Sequence, residues 1–470
     1  MWGHEIAKLG GTMSTKTKTS VRSAIFGAFV AALAAPVAAQ GIEFKGELSF
    51  AARHFPHDGA QPGQATSGTS LITEGRLVAS SDLGFGQVEI ELYGRGDNRT
   101  GSEVIDIQKA YFQTGNDFVS VLVGSDVVFW GVAESVNPTN IINQNDLFSR
   151  IEEERKLGQP MVNLNFETGV MGTVSLYGLI GFREPDFGDA STRPRFAVLP
   201  DDSRAMFDDV NNHDFDIAIR NTNTISFSSA SLDYAVSYFQ GTNRNPVVLP
   251  GCANRAAPVT EATCTAVNTD IRNTYESLAA GGPGALAAQV AAGATPATQA
   301  FLLGGTSVGT VPYYQDIQQV GLELAYASGD WLWKFEGIRR YASGEDFFGG
   351  VFGAEYRFNN VFGGSGDLTI AGEYAYDDRS SLQPITVFDD DVFASVRYDF
   401  NNPYGTAITL SGLRDVNTDG SVYNLEVSSR LTDSTTVNFT ATHINSSSPT
   451  DPLTVLNNDD FYELKFSYFF

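Results

Sequence analysis

Positive charge is scarce in this chain. Its 30 Lys and Arg residues face 55 Asp and Glu, for a formal charge of −25. That balance argues against nucleic acid as a partner, because a polyanion binds through clustered cations. Histidine is also rare, with His54, His57, His213 and His443 beyond the first few residues. No nucleophile motif accompanies His213 or His443, so no Ser/His hydrolase is expected and the chain is not read as an enzyme. His54, His57 and Asp58 have only loose metal-ligand spacing in a Pro/Gly loop, which does not amount to a metal site. No phosphate-cradling Gly loop with its Lys is present, and no cofactor is implied. A helix that crosses a bilayer needs roughly 20 consecutive apolar residues, and nothing after Gln40 supplies them. The Ala-rich stretch 278–303 is broken by Gly and Pro.

There are two cysteines, Cys252 and Cys264, in one polar, Pro-containing stretch with no His near it in sequence. In an oxidising compartment they are expected to form a local disulfide, worth roughly 3 kcal/mol in the chain-entropy model.

That compartment is indicated by the start of the chain. Lys16, Lys18 and Arg22 precede the apolar run 24–35, and Pro36-Val37-Ala38-Ala39 follows. This is the order of a basic region, a short hydrophobic region and a small-residue cleavage site. Cleavage is expected after Ala39, with Met13 the more natural start and 1–12 an upstream extension. The leader holds four basic residues and one acid, so the mature charge is near −28.

The rest of the chain is full of Gly, Ser, Thr, Asn, Asp and aromatics, in alternating patterns. The last residues put Tyr462, Leu464, Phe466, Tyr468 and Phe470 on one face, with Glu463, Lys465 and Ser467 between them. Ile42, Phe44, Leu48 and Phe50 alternate with Glu43, Lys45, Glu47 and Ser49. Similar runs recur around Ile90, Leu176, Tyr234, Leu322, Ile370 and Val396. A period of two marks strands with one apolar and one polar face. Trp331, Trp333, Tyr374, Tyr376, Tyr398 and Phe400 lie near strand ends, as in an interfacial aromatic girdle.

Short Gly/Asn/Asp/Ser turns alternate with mostly longer connections at 54–70, 96–103, 130–160, 184–213, 241–313, 342–346, 377–390, 415–420 and 445–459. With both termini on the short-turn side, the count predicts an all-β, antiparallel up-and-down transmembrane barrel of about 18 strands. Sixteen is the alternative, because alternation is weak in 72–81 and 221–229. Residues 40–470 are read as this single barrel, with short periplasmic turns and long external loops.

Charges on a lipid-facing surface cost a few kcal/mol each, so those on the polar faces are expected to line the lumen. The candidates are Arg76, Arg95, Arg220, Arg340, Arg357 and Arg397 with Glu89, Glu91, Glu323 and Glu373. They could form facing rows of opposite sign or a wall that pairs with itself. Acids outnumber bases, which mildly favours cations.

The most distinctive stretch is 128–147, continuing to Asn163. Trp130, Ile141, Ile142 and Leu147 need burial, which a loop folded into a barrel mouth provides. Segment 130–160 would then narrow the lumen, with Glu134, Asn137, Asn140, Asn143, Gln144 and Asp146 at the constriction. The alternative is a loop packed onto other external loops.

The run Phe129-Trp130-Gly131-Val132, Glu134-Ser135, then Ile141-Ile142-Asn143-Gln144, Asp146-Leu147 and Lys156-Leu157-Gly158-Gln159-Pro160-Met161 resembles a signature of proteobacterial porin-like outer-membrane barrels with no assigned substrate. The long insert 241–313 is not part of that signature. The resemblance implies a Gram-negative outer-membrane channel for passive diffusion of small hydrophilic solutes. It also implies that Tyr462 to Phe470 is read by the barrel-assembly machinery. The partners expected are membrane lipid, lipopolysaccharide and divalent cations at external acids such as Asp208, Asp209 and Asp389 to Asp391; the oligomeric state, homo-oligomer or not, is left open. The alternative function is a surface-binding, adhesin or receptor barrel that acts through its external loops, with an outer-membrane hydrolase ranked behind it.

Overall fold

The computed structural model describes residues 41–147, 155–195, 197–208, 214–253, 259–279, 293–304 and 308–470. The leader, with Ala39, lies outside the described residues, as do Asp209 and His213.

Its strands are β1 (Ile42–Phe55), β2 (Gly68–Asp82), β3 (Gln87–Asp97), β4 (Val104–Gly115), β5 (Val119–Asp126), β6 (Gln159–Glu167), β7 (Thr173–Ile180), β8 (Met206–Phe207), β9 (Phe215–Ser226), β10 (Ala230–Thr242), β11 (Val247–Cys252), β12 (Val308–Tyr314), β13 (Asp316–Ser328), β14 (Trp331–Ala342), β15 (Glu345–Phe358), β16 (Asp367–Asp377), β17 (Asp390–Asp399), β18 (Ala407–Asp415), β19 (Ser421–Thr432), β20 (Thr435–Asn445) and β21 (Phe461–Phe469). All but β8, β11 and β12 belong to one 18-stranded antiparallel sheet, in which each strand pairs with the next. The pairing β1–β21 closes it into a barrel. The weakly alternating stretches are strands too, β2 and β9, so 18 is the strand number rather than 16.

A small residue sits at the end of the closing seam. Gly46 Nα–H donates to the Phe470 carbonyl at 2.9 Å, and Phe470 N donates back at 3.1 Å. A Cβ on Gly46 would lie 2.2 Å from the Phe470 ring, so the terminal aromatic occupies the space a side chain would need.

The outward face carries an apolar band. Ile90, Val236, Val320, Leu322, Val396 and Phe466 are exposed there. Aromatics flank this band in two belts. At the turn end Trp331 stacks on Trp333 at 5.3 Å and Tyr468 on Phe470 at 6.1 Å. At the loop end Phe215, Tyr341, Tyr374, Tyr376, Tyr423 and Tyr462 are exposed. An exposed apolar band between two aromatic belts on a closed sheet is the form in which strands cross a bilayer, since closure leaves no backbone group unpaired in lipid.

The insert between β10 and β13 is a folded unit rather than a plain loop. Strands β11 and β12 pair antiparallel, and β8 joins β12 in parallel. Helix α1 (Glu261–Ala279) turns Cys264, Val267, Ile271 and Tyr275 toward them, and α2 (Pro296–Gly304) adds Phe301 and Leu302. This helical spacing places one apolar face on a small core of its own. Cys252 and Cys264 are joined by a disulfide. Leu382, from the β16–β17 connection, enters the same core, and Tyr275 Oη donates to its carbonyl at 2.6 Å. The unit therefore rests on neighbouring loops at the long-loop end.

A candidate constriction inside the barrel

The β5–β6 connection, described over 127–147 and 155–158, leaves the wall and enters the barrel. Its apolar side decides where it rests. Trp130, Ile141 and Ile142 are buried against Leu122, Met161, Leu179, Ala218, Phe239, Ile317 and Ala342, which are inward-facing residues of β5 to β14. Trp130 meets Tyr177 edge-on at 5.7 Å, with the Arg220 guanidinium 5.3 Å from its ring. Leu147 is half-buried.

The polar side is held by wall carboxylates that accept from its backbone. Gly131 N donates to Glu323 on β13 at 3.1 Å. Val132 N and Thr139 N each donate to Glu336 on β14 at 2.9 Å, and Thr139 Oγ1 does so at 2.7 Å. Glu134 N and Ser135 N each donate to Glu373 on β16 at 2.8 Å. Arg244, just after β10, is 3% exposed, donates to the carbonyls of Ile141 and Ile142, and pairs with Asp216 at 2.8 Å. The returning arm lies on the other side of the lumen. Arg155 stacks 4.0 Å above the Tyr93 ring of β3 and lies 3.7 Å from Glu74 of β2. Strands β3 and β14 are close to diametrically opposite in the ring. The segment thus touches both sides of the inner wall.

The six residues expected at a constriction divide. Glu134 is exposed and meets Lys334 of β14 at 2.6 Å; Asn137 is half-buried. Asn140, Asn143, Gln144 and Asp146 are buried instead. Asn143 shows why: its Oδ1 accepts from Val128 N at 2.9 Å and its Nδ2 donates to the carbonyls of Asp126 and Leu157 at 2.8 and 2.9 Å. A short carboxamide reaches its own chain, so these residues set the shape of the segment rather than its lining.

The lumen charges face inward, mostly in pairs. Arg76 meets Glu91 at 2.5 Å, and Lys109 meets Glu89 at 3.4 Å. Arg95 lies 3.8 Å from Glu74, which also meets Lys465 at 2.5 Å. Arg220 meets Glu323 at 2.5 Å, Arg357 meets Asp367 at 2.5 Å, and Arg397 meets Asp399 at 2.8 Å. Arg340 donates to the neutral Gln319 at 2.8 Å. Of the two arrangements left open, these pairs are those of a wall that pairs with itself, and Glu323 and Glu373 also accept hydrogen bonds from the backbone N–H groups of the in-folded segment. Lys109 faces inward beside Gln108 because a bulge in β4 shifts the register against Glu91 and Leu92.

Sequence reasoning missed Glu336 as an anchor, and missed Arg155 and Arg244. A glutamate on an inward face has no sequence mark that separates a free charge from an anchor. The lone Arg244 between Asn243 and Asn245, straight after a strand, is the one available hint.

Among the described residues the histidines do not gather. His54 Nδ1 lies 3.1 Å from Thr69 Oγ1, and His443 Nδ1 lies 2.8 Å from Asp460. Asp58 accepts from Ser67 N at 2.7 Å, and those hydrogen bonds hold its carboxyl below the usual range. Among the described residues no three His, Cys, Asp or Glu side chains are arranged as a metal cage.

Above the segment, the β7–β9 connection also crosses the mouth. Arg193 is buried against Asp459 at 2.7 Å and donates to the carbonyls of His57 and Ala65, tying this connection to the loops beside β1 and β21.

A closed barrel with an apolar outer band, a charged inner wall and a segment folded across it is a porin-like transmembrane β-barrel. No family model matches the chain, and no curated protein does. Solved structures similar to it include porins. OccAB4 of Acinetobacter baumannii aligns at 10% identity and a TM-score of 0.45, covering 93% of this chain and 100% of that one. A BenF-like porin of Pseudomonas fluorescens Pf-5 aligns at 10% and 0.45, covering 92% and 97%. OprB of Pseudomonas putida aligns at 9% and 0.43, covering 92% and 94%. With TM-scores below 0.5 these likenesses carry no argument, and the barrel stands on its own strand pairing.

Proposed function

We propose that the protein is an outer-membrane channel through which small hydrophilic solutes diffuse passively. The observation that carries this is the 127–158 segment, bonded to Glu323, Glu336 and Glu373 on one wall and resting on Tyr93 and Glu74 on the other. A barrel that only displayed loops would have no need to brace a segment across its interior. The cross-section left for solute is bounded by that segment and by the paired charges of β1 to β4 and β17 to β21. The half-exposed Glu134, beside Lys334 and Glu355, is placed to act on a passing ion. The excess of acids gives a mild preference for cations, since charge at the narrowest point sets selectivity. The leader reading supports export with cleavage after Ala39, and the closed barrel with its apolar outer band supports the outer membrane as the destination. Tyr462 to Phe470 would serve as the assembly signal, and lipopolysaccharide would surround the loop end.

The folded unit on β11, β12 and α1 favours a second reading, a receptor whose cap recognises a ligand. Single-channel recording in planar bilayers separates the two. Steady, ohmic conductance with a cation-leaning reversal potential in a salt gradient supports the channel. Folded protein that inserts but conducts no ions rejects it.

A further inference from the structure

At the loop end of the barrel, β17 and β18 place two aspartates side by side. Asp391 and Asp415 are register partners on adjacent strands, on the inward face opposite the exposed Val392 and Leu410. Like charges directly opposite on paired strands repel. Both are buried, Asp391 at 1% exposure and Asp415 at 6%. Asp415 is partly satisfied, because its Oδ1 accepts from Asn417 N at 2.6 Å and from Thr418 N at 2.8 Å. Asp391 is not: both its carboxylate oxygens are buried and neither accepts a hydrogen bond of good geometry, with only the Asp389 and Asp390 backbone close by. The inward-facing neighbours in register are Ala375 on β16, and Phe393 and Leu413 one pleat further down. None can donate. Arg414 is on the opposite face, exposed. Asp389, in the connection just before β17, is a third acid two residues along the chain.

A buried carboxylate with two idle oxygens costs several kcal/mol unless something positive meets it. The donors here are hard oxygens alone, with no His or Cys, which suits Ca²⁺ or Mg²⁺ rather than a transition metal. We propose that Asp391 and Asp415 bind a divalent cation, of the Ca²⁺ class, at the outer rim between β17 and β18. Two side chains do not make a closed cage, so backbone carbonyls and water complete the shell, as is ordinary for Ca²⁺. Asp389 adds negative charge beside it. The ion neutralises a pair that would otherwise push two neighbouring strands apart. It ties the β16–β17 connection, which carries Leu382 into the cap core, to the barrel rim.

The test uses full-length protein refolded in detergent without lipopolysaccharide, titrated with CaCl₂ by calorimetry and with Tb³⁺ by luminescence. Wild type should show a site that Asp391→Asn and Asp415→Asn each weaken by roughly tenfold or more. Asp433→Asn, in the turn at the opposite end, should leave it unchanged. Heat-modifiable gel mobility checks that each variant is folded. Ca²⁺ should also raise the midpoint of thermal unfolding of wild type but not of Asp391→Asn. Binding curves and unfolding shifts identical in wild type and Asp391→Asn would overturn the proposal and leave a shared proton as the neutralising charge.

Discussion

Glu336 is the test of whether the inner segment is held by the wall. Its side chain is fully buried and accepts from Val132 N, Thr139 N and Thr139 Oγ1. One oxygen faces Val132 and the other faces Thr139, so both ends of the carboxylate meet donors. Glu336→Gln keeps the shape but gives one end an NH₂ group. Whichever end that is, donor then faces donor. A hydrogen bond to a charged group contributes about 1.5–3 kcal/mol, and a buried donor left unmet costs about 1–3 kcal/mol. A loss of about 3 kcal/mol on the seating of the segment is a modest expectation. Since about 1.4 kcal/mol is a tenfold change, the unseated arm becomes roughly a hundredfold more populated. Two assays read this. Single-channel traces should show a larger mean conductance with more flicker. A cysteine introduced as Val136→Cys, between the two contact points, should react faster with a methanethiosulfonate reagent in the Glu336→Gln background. Glu43→Gln, at the turn end of β1 and exposed, should change neither. If folded Glu336→Gln protein shows the same conductance and the same labelling rate, the wall carboxylates do not hold the segment and the reasoning fails.

Replacing 135–151 by a short Gly/Ser link should widen the pore, raise conductance and weaken any ion preference set at Glu134; an unaltered conductance in folded protein would show that the segment does not limit flow. Gly46→Val should disturb closure, because the new side chain takes the place of the Phe470 ring, and less heat-modifiable barrel should be recovered. Deleting Phe469 and Phe470 should do so more strongly by exposing an unpaired edge; normal abundance of the truncated form in outer-membrane fractions would refute this. Cys252→Ser with Cys264→Ser should loosen the cap by up to roughly 3 kcal/mol, seen as faster proteolysis within 243–315, while the barrel keeps its heat-modifiable mobility; a loss of barrel folding would mean the cap is needed for assembly.

Alternation with period two was legible in the chain because a strand has only two faces, and a barrel in lipid makes them chemically opposite. From Ile42 to Phe470 that rule gives strand directions, faces and, with the turn chemistry, the number of strands. The burial of Trp130, Ile141 and Ile142 was legible for the same reason: large apolar groups in a polar connection need somewhere to go. Which polar groups would meet was not legible. Asn143 and Asp146 carry the chemistry of a pore lining, yet both are buried: the Asn143 amide finds its own backbone before it finds solvent, and the Asp146 carboxylate lies beside Arg155. Glu323, Glu336 and Glu373 look like any inward-facing acids until the segment arrives across the lumen, more than 180 residues away in sequence, to place its N–H groups against them. Asp391 and Asp415 are ordinary aspartates until strand register sets them face to face. Side-chain pattern is a local property and is written along the chain. Partnership between distant groups depends on register, closure and the path of one long connection, and those exist only once the barrel has folded.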